Sequence, residues 1–304
     1  MILSTLVSII MPNYNKAQFV AEAIQSVLQQ SLKDFEFIIV DDGSTDGSLD
    51  VIRDVTKNDG RVKVLSNGAN RGVSFTINKG MREVTGKYVC LIGSDDLFRP
   101  ERLERMVNAL GGRLDLIAYT DLFLIDESGR TTRSSFLGSK KLPPEGYAYP
   151  HLLSNWIWGL ATMMTSASAI QEIGYFNESL TWGEDLDYVL RLAEKYEVIL
   201  VREPLYGYRS DKNSLTSMTS IKLKGEAYCR ILESNLRRNW DNLDDRTRFE
   251  TIRRIQAAAV ESHVRGEYLR WWANPTFLRI AAQKLARNIA EAGQRHREAS
   301  PQEA

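Results

Sequence analysis

In the first third of the chain, short runs of apolar residues alternate with stretches whose apolar positions recur every three or four residues. Residues 6–10 read as a buried strand, ended by Pro12-Asn13-Tyr14-Asn15. Phe19, Val20, Ala23, Ile24, Val27 and Leu28 then fall on one face of a helix. A second strand is expected at 35–40. The helix after it carries Leu49, Ile52 and Val55, with Ser44 or Thr45 as the N-cap. A weaker strand follows at 62–65. The turn Asn70-Arg71-Gly72 leads into a helix reaching about Val84. A fourth strand is expected at 88–92, and Pro100 is placed in the first turn of the next helix, where its missing N–H is harmless. Strands and helices in alternation predict a parallel, doubly wound sheet.

The pattern loosens further on. Residues 114–126 are rich in Leu, Ile, Tyr and Phe, and Glu127-Ser128-Gly129-Arg130 has the composition of a hairpin turn. The segment 140–150 holds Pro143, Pro144 and Pro150 and reads as a long surface loop. Trp182-Gly183-Glu184-Asp185 precedes a helix bearing Leu186, Val189, Leu190, Leu192 and Ala193. Beyond Thr219 the chain is helical, Arg-rich and nearly free of Gly and Pro until Pro275. This predicts a domain at 1–218, with halves at about 1–100 and 101–218, and a helical extension at 219–304.

The 304 residues carry no net charge, so the overall balance offers no argument for nucleic acid. The balance is uneven, however: from Ile221 onward Lys and Arg exceed Asp and Glu by about five. The two cysteines, Cys90 and Cys229, form no CxxC, and Cys90 lies inside an apolar strand. That suits a reducing compartment. The N-terminus lacks the basic flank of a secretory signal, and no apolar run reaches 18 residues. A cytoplasmic protein is expected. Neither GxGxxG after the first strand nor GxxxxGK[ST] occurs, which disfavours a dinucleotide fold and a P-loop.

The candidate chemistry lies in acidic pairs. Asp41-Asp42 and Asp95-Asp96 each follow an apolar strand, where an open α/β sheet binds its ligands. Adjacent carboxylates raise one another's pKa unless a cation or hydrogen-bond donors compensate. One reading of Asp95-Asp96 is a pair of solvated acids at a helix N-terminus. The other is a divalent metal with a phosphate on its far side, reached over the small residues Gly93 and Ser94. In Asp41-Asp42, one acid can cap a turn while the other accepts hydrogen bonds from a nucleobase or ribose. Glu184-Asp185 reads either as a helix start or as a general base beside an apolar wall. Trp156, Trp158 and Trp182 are core residues or a platform for a sugar ring, and His151 is expected at the surface.

Taken in order, these segments resemble the GT-A glycosyltransferases of family 2. The resemblance is carried by Val7-Ser8-Ile9-Ile10-Met11-Pro12-Asn13-Tyr14-Asn15, Asp41-Asp42-Gly43-Ser44, Asn70-Arg71-Gly72, Gly93-Ser94-Asp95-Asp96, Gly183-Glu184-Asp185 with Arg191, and Glu203-Pro204-Leu205-Tyr206-Gly207-Tyr208-Arg209. It covers about residues 4–218. It implies an α/β GT-A fold, a doubly wound mixed sheet flanked by helices, with the C-terminal helical extension appended. It also implies inverting transfer of a sugar from a nucleoside diphosphate, UDP first, to a hydroxyl of a saccharide or lipid-linked acceptor in cell-surface polysaccharide synthesis. By resemblance, Pro12, Tyr14 and Asn15 would line the nucleotide pocket, Asp42 would bind uracil or ribose, and Arg71 the base or diphosphate. Asp95 would hold ribose or donor sugar, and Asp96 would ligate Mn²⁺ or Mg²⁺. Asp185 would be the catalytic base, with Glu184 binding the acceptor or assisting it.

The sequence departs from the family pattern at two places. Gly93 and Ser94 stand where members carry a further acid, which leaves Asp96 or Asp95 as the metal ligand. Asp211 stands where many carry a His that serves the metal, so that Asp211 would substitute as an oxygen ligand or the function would be lost. A sugar nucleotidyltransferase and a non-catalytic nucleotide-sugar-binding module are the competing classes. The former usually has a Gly-rich loop after the first strand, and residues 11–16 contain no glycine.

The C-terminal segment sets Trp271-Trp272 and Pro275 before Phe277, Leu278, Ile280, Ala281, Leu285 and Ile289, with Arg279, Lys284, Arg287, Arg295 and Arg297 among them. Such a basic amphipathic stretch packs on its own protein, pairs two copies as a homodimer, or lies peripherally on the inner face of a membrane.

Overall fold

A computed structural model describes residues 5–136, 145–155, 159–210, 219–263, 273–275, 277–279 and 281–283. Trp156, Trp158, Asp211 and the Trp271-Trp272 pair lie outside them. The chain divides into two compact units, Met1–Tyr149 with Ile157–Thr219, and Pro150–Trp156 with Ser220–Ala304.

The first unit is built on one mixed sheet. Its strands are β1 (Val7–Asn13), β2 (Phe35–Asp41), β3 (Val62–Ser66), β4 (Tyr88–Leu91), β5 (Leu97–Phe98), β6 (Leu116–Ile125), β7 (Thr131–Arg133), β8 (Met163–Ser166) and β9 (Glu197–Arg209). They run in the order β3-β2-β1-β4-β8-β6-β9-β5, and β7 pairs with β6. The β1–β2, β2–β3 and β1–β4 pairings are parallel. β8 is antiparallel to both β4 and β6, and β6 and β9 are parallel. The helices of this unit are α1 (Val20–Leu28), α2 (Ser48–Thr56), α3 (Val73–Met81), α4 (Arg102–Leu110), α6 (Ala167–Ile173) and α7 (Glu184–Lys195), while α5 (Tyr149–Ser154) belongs, but for its first residue, to the second unit.

The alternating pattern thus gives the expected parallel block, and the later segments add antiparallel strands to it. From β3 the chain passes back over β1 to form β4, so strand order reverses between β1 and β4. Ligands bind beyond the carboxyl ends of strands at such a reversal. Both Asp-Asp pairs sit at this edge.

On one face of the sheet, Val7, Ile9 and Met11 of β1 are packed with Val20, Ala23, Ile24 and Val27 of α1 and Leu103, Met106 and Leu110 of α4. All are essentially without solvent contact. Each of the Val, Ile, Leu and Met side chains among them contributes about 1.5–3 kcal/mol by leaving water. On the other face α3 approaches closely: a Cβ at Gly80 would stand 2.6 Å from Ile10 Cγ2.

Several local expectations change. β1 continues through Pro12 to Asn13, although a proline cannot donate to a ladder. Pairing with β4 ends at Ile10 and Leu91, and the Ile10 carbonyl faces that neighbour. Two residues on, Pro12 faces the same way, past the end of β4, where no donor is required. Neither Ser44 nor Thr45 caps α2: Gly47 does, at φ +88°, and Ser44 is drawn instead into the Asp41 turn. Pro100 precedes the first helical turn, with Glu101 as the N-cap of α4. The hairpin at 127–130 forms as expected between β6 and β7.

In the second unit, helices α8 (Ile221–Arg238) and α9 (Asp245–Glu261) carry most of the buried surface. They pack closely at Gly225, where a Cβ would collide with Ser262 Oγ, and Cys229 Sγ donates to the Ile255 carbonyl. His151 is not a surface residue: it is half-buried, its Nε2 has no hydrogen-bond partner, and burial lowers its pKa. Among the described residues, no helix is long and apolar enough to cross a membrane.

Candidate active site

The carboxyl ends of β1 and β2 are held by a dense set of short hydrogen bonds. Asp41, in register with Asn13, accepts from Asn13 Nδ2 at 2.8 Å, Ser44 Oγ at 2.6 Å and Ser44 N at 3.0 Å. Asp42 turns the other way and accepts from Asn67 Nδ2, Arg71 N and Gly72 N at 2.8–2.9 Å. Each of these buried carboxylates is therefore matched by three donors. Asp41 shapes the turn, while Asp42 draws the loop after β3 across the strand ends. Gly43 makes this possible, because at φ +72° a Cβ would lie 2.6 Å from the Ala69 backbone. Asn15, at φ +51°, accepts from Thr45 N at its side-chain Oδ1, and its backbone N–H donates to Ser44 Oγ, which fixes the loop after β1.

Asp95 and Asp96 have different environments. Asp96 is 6% exposed. Its Oδ2 accepts Tyr206 Oη at 2.6 Å and its Oδ1 accepts the Arg209 amide at 2.8 Å, both from the end of β9. Burial, and then the neighbouring Asp95 charge, push its pKa up to about 7. Asp95 is more open and pairs with Lys16, whose Nζ lies 2.7 Å from Oδ2. Arg209 ties these parts together. Its Nε donates to the Asp95 carbonyl, Nη1 to the carbonyls of Asp126 and Glu127, and Nη2 to Glu22, while the guanidinium covers the Phe19 ring.

Glu184 and Asp185 open α7, after Gly183 in a left-handed conformation at φ +78°. Burial raises both carboxyls. Glu184, which also feels the Asp185 charge, reaches about 7. Asp185 Oδ1 accepts the Leu186 amide at 2.8 Å. A Cβ at Gly159 would stand 4.0 Å from Asp185 Oδ2, an ordinary contact distance. Tyr208, 39% exposed on β9, lies near both acid sets: burial raises its phenol first, followed by the charges of Asp96, Asp95 and Asp185.

Among the other residues singled out from sequence, Tyr14 is 43% exposed, Pro12 and Trp182 are half-buried, and Arg71 is exposed with its guanidinium over Phe75. Lys16, Tyr206, Tyr208 and Arg209 had no assigned role. A Tyr-Gly-Tyr-Arg segment late in the chain was the available signal, but its partners lie more than 100 residues away.

Among the described residues, no group of three or more His, Cys, Asp or Glu could hold a metal. A site completed by phosphate and water needs only one or two carboxylates, and that arrangement fits here. A Cβ at Gly93 would stand 2.6 Å from Asp96 Oδ2 and 3.1 Å from Asp95 Oδ1. The two carboxylates thus converge over the glycine, in space that a further acid at 93 would fill.

Comparison with known proteins bears on the family and the fold. The description "Glycosyl transferase family 2" matches residues 8–166. A Bacillus subtilis (strain 168) glycosyltransferase named for teichuronic acid biosynthesis, TuaG, is 32% identical over 213 residues, covering 70% of this chain and 82% of its own. Two Rickettsia glycosyltransferases, 30% identical, are longer, and the match covers 31% of each. Among solved structures, S. aureus TarS 1–349 in complex with UDP-GlcNAc aligns over 88% of this chain and 78% of its own, with TM-score 0.67 and 20% identity. The mannosyltransferase PcManGT from Pyrobaculum calidifontis, in complex with GDP-Man and Mn²⁺, aligns over 94% and 80%, with TM-score 0.59 and 18% identity.

Proposed function

The chain belongs to glycosyl transferase family 2, and from that premise we propose an inverting, metal-dependent transfer of a sugar from a UDP-sugar to a hydroxyl of a saccharide or lipid-linked acceptor in polysaccharide synthesis. The observation that carries this reading is the convergence of Asp95 and Asp96 over Gly93, beside the β1–β4 strand reversal. UDP-GlcNAc in the TarS complex, Mn²⁺ in the PcManGT complex and the biosynthetic role in TuaG's name support its parts.

The environments of the two acids lead us to exchange the roles that the resemblance implies. Both Asp96 oxygens already accept hydrogen bonds from β9. We therefore assign the metal-facing position to Asp95 and treat Asp96 as the wall behind it. A divalent cation bound there would neutralise charge on the leaving diphosphate. Pro12, Tyr14 and Arg71 border the strand ends where the nucleoside would lie. Asp42 acts by holding the Arg71 loop in place.

Asp185 Oδ1 is taken by the Leu186 amide, which leaves Oδ2 to serve as the base. It takes the acceptor's hydroxyl proton as that oxygen bonds to the anomeric carbon. The bond from that carbon to the diphosphate breaks, and the nucleoside diphosphate leaves with the electron pair. A carboxyl raised by burial is a stronger proton acceptor near neutral pH than an ordinary one. Glu184, half protonated near pH 7, donates to the acceptor or to Asp185.

The test is a thermal-shift screen of nucleotide sugars with and without Mn²⁺, followed by turnover of Asp185→Asn. Stabilisation by a UDP-sugar that requires Mn²⁺ is expected. D185N should keep that stabilisation and lose about 10²–10⁴-fold in transfer. Wild-type transfer by D185N would remove Asp185 as base.

A further inference from the structure

Lys16 has no part in the chemistry above, yet its ammonium is placed against the carboxylate assigned to the metal. We propose that Lys16 is an internal cation that holds Asp95 before metal and donor arrive, and that its ammonium passes to the diphosphate when they bind. This rests on the metal-dependent reading of the site.

The geometry is specific. Lys16 Nζ is 2.7 Å from Asp95 Oδ2, and the two side chains keep only 16% and 19% of their surface in water. An ion pair removed this far from solvent is screened less by salt than a surface pair. The other oxygen of Asp95, Oδ1, lies beside Gly93, 3.1 Å from where a Cβ there would stand, as does Asp96 Oδ2 at 2.6 Å. The Lys16 backbone is fixed: its amide donates to Ser48 Oγ at 2.9 Å, and the next amide, Ala17 N, donates to Asp46 at 2.8 Å. The side chain reaches Asp95 with its ammonium 5.9 Å from the Phe19 ring centre. The loop that carries it follows β1, at the strand reversal where the diphosphate is expected.

A cation on Asp95 Oδ1 would still stand within a few Å of an ammonium on Oδ2 of the same carboxylate, and two positive groups that close repel each other. Lys16 therefore opposes metal binding in the empty site. Once displaced, its charge lies beside the leaving group, where it favours nucleotide. Removing the charge should tighten metal binding to the nucleotide-free protein and weaken nucleotide binding to the metal-loaded protein. A residue that only stabilised the loop would produce neither effect, because its backbone amides supply those bonds.

Mn²⁺ titration followed by electron paramagnetic resonance, without nucleotide, compares wild type, Lys16→Met and Lys16→Arg. K16M should bind Mn²⁺ tighter on the order of tenfold, within the usual range for coupled sites. K16R, which keeps the charge, should stay near wild type. UDP titrated calorimetrically into the same proteins at saturating Mn²⁺ should bind K16M more weakly. Equal or weaker Mn²⁺ affinity in K16M overturns the proposal while the metal reading stands. Mn²⁺ bound by none of the three proteins overturns both. UDP affinity unchanged in K16M overturns the passage of the ammonium to the diphosphate.

Discussion

Replacing Glu184 with Gln isolates the cost of holding a second acid beside the catalytic base. Burial, and then the Asp185 charge, displace the Glu184 carboxyl from 4.5 to about 7. At about 1.4 kcal/mol for each factor of ten in proton affinity, that is about 3 kcal/mol. Glu184 keeps part of its surface in water, and solvent screening lowers the expectation to about 2–3 kcal/mol. The sign follows from linkage. The folded protein binds this proton more tightly than the unfolded chain, so the contribution is fully present below about pH 4.5 and is lost as pH rises through about 7. Gln has nearly the same shape and does not ionise. Urea unfolding of wild type and E184Q should therefore give similar stabilities near pH 4.5, with E184Q ahead by about 2–3 kcal/mol at pH 8. In an Asp185→Asn background the gap should narrow, because one of the two causes of the shift is gone. A difference that does not change between these pH values would refute the argument.

Three further outcomes follow from the same network. Arg209→Met should cost about 3 kcal/mol in denaturant unfolding, since it leaves the carbonyls of Asp95, Asp126 and Glu127 without their donor. Asp42→Ala should raise hydrogen exchange at the Arg71 amide by about tenfold or more, because it loses its acceptor, and less at Gly72, which keeps Asn70 Oδ1 at 3.1 Å; unchanged protection at Arg71 would show that the loop is held by other contacts. Gly43→Ala should lower the thermal midpoint, at about 2–4 kcal/mol, because it combines a left-handed φ with a 2.6 Å approach to the Ala69 backbone.

Much of the first unit is legible in the sequence because its signals are local. A buried parallel strand needs a continuous apolar run and a covering helix needs a 3.6-residue period, and both fit within a few neighbouring residues. β1, β2, β4 and α1 appear in this way, as do the acidic pairs that end the strands. The N-cap of α2 was not legible. Ser44 has the right chemistry for a cap, but Asp41, packed beside Asn13 of a different strand, competes for its hydroxyl.

The division of labour within each acidic pair also lies beyond local signals. By sequence Asp95 and Asp96 are interchangeable, and so are Asp41 and Asp42. Asp96 is drawn inward because Tyr206 and Arg209, 110 and 113 residues further along, reach it from the end of β9. Asp95 stays open, with Lys16 against it. The sequence by itself determined which strands form and that acids stand at their carboxyl ends, since backbone period and residue type decide both. Which acid is buried, which is open and which cation waits beside it were decided only by the tertiary structure, because hydrogen bonds and charge act through space between segments that the chain order keeps far apart.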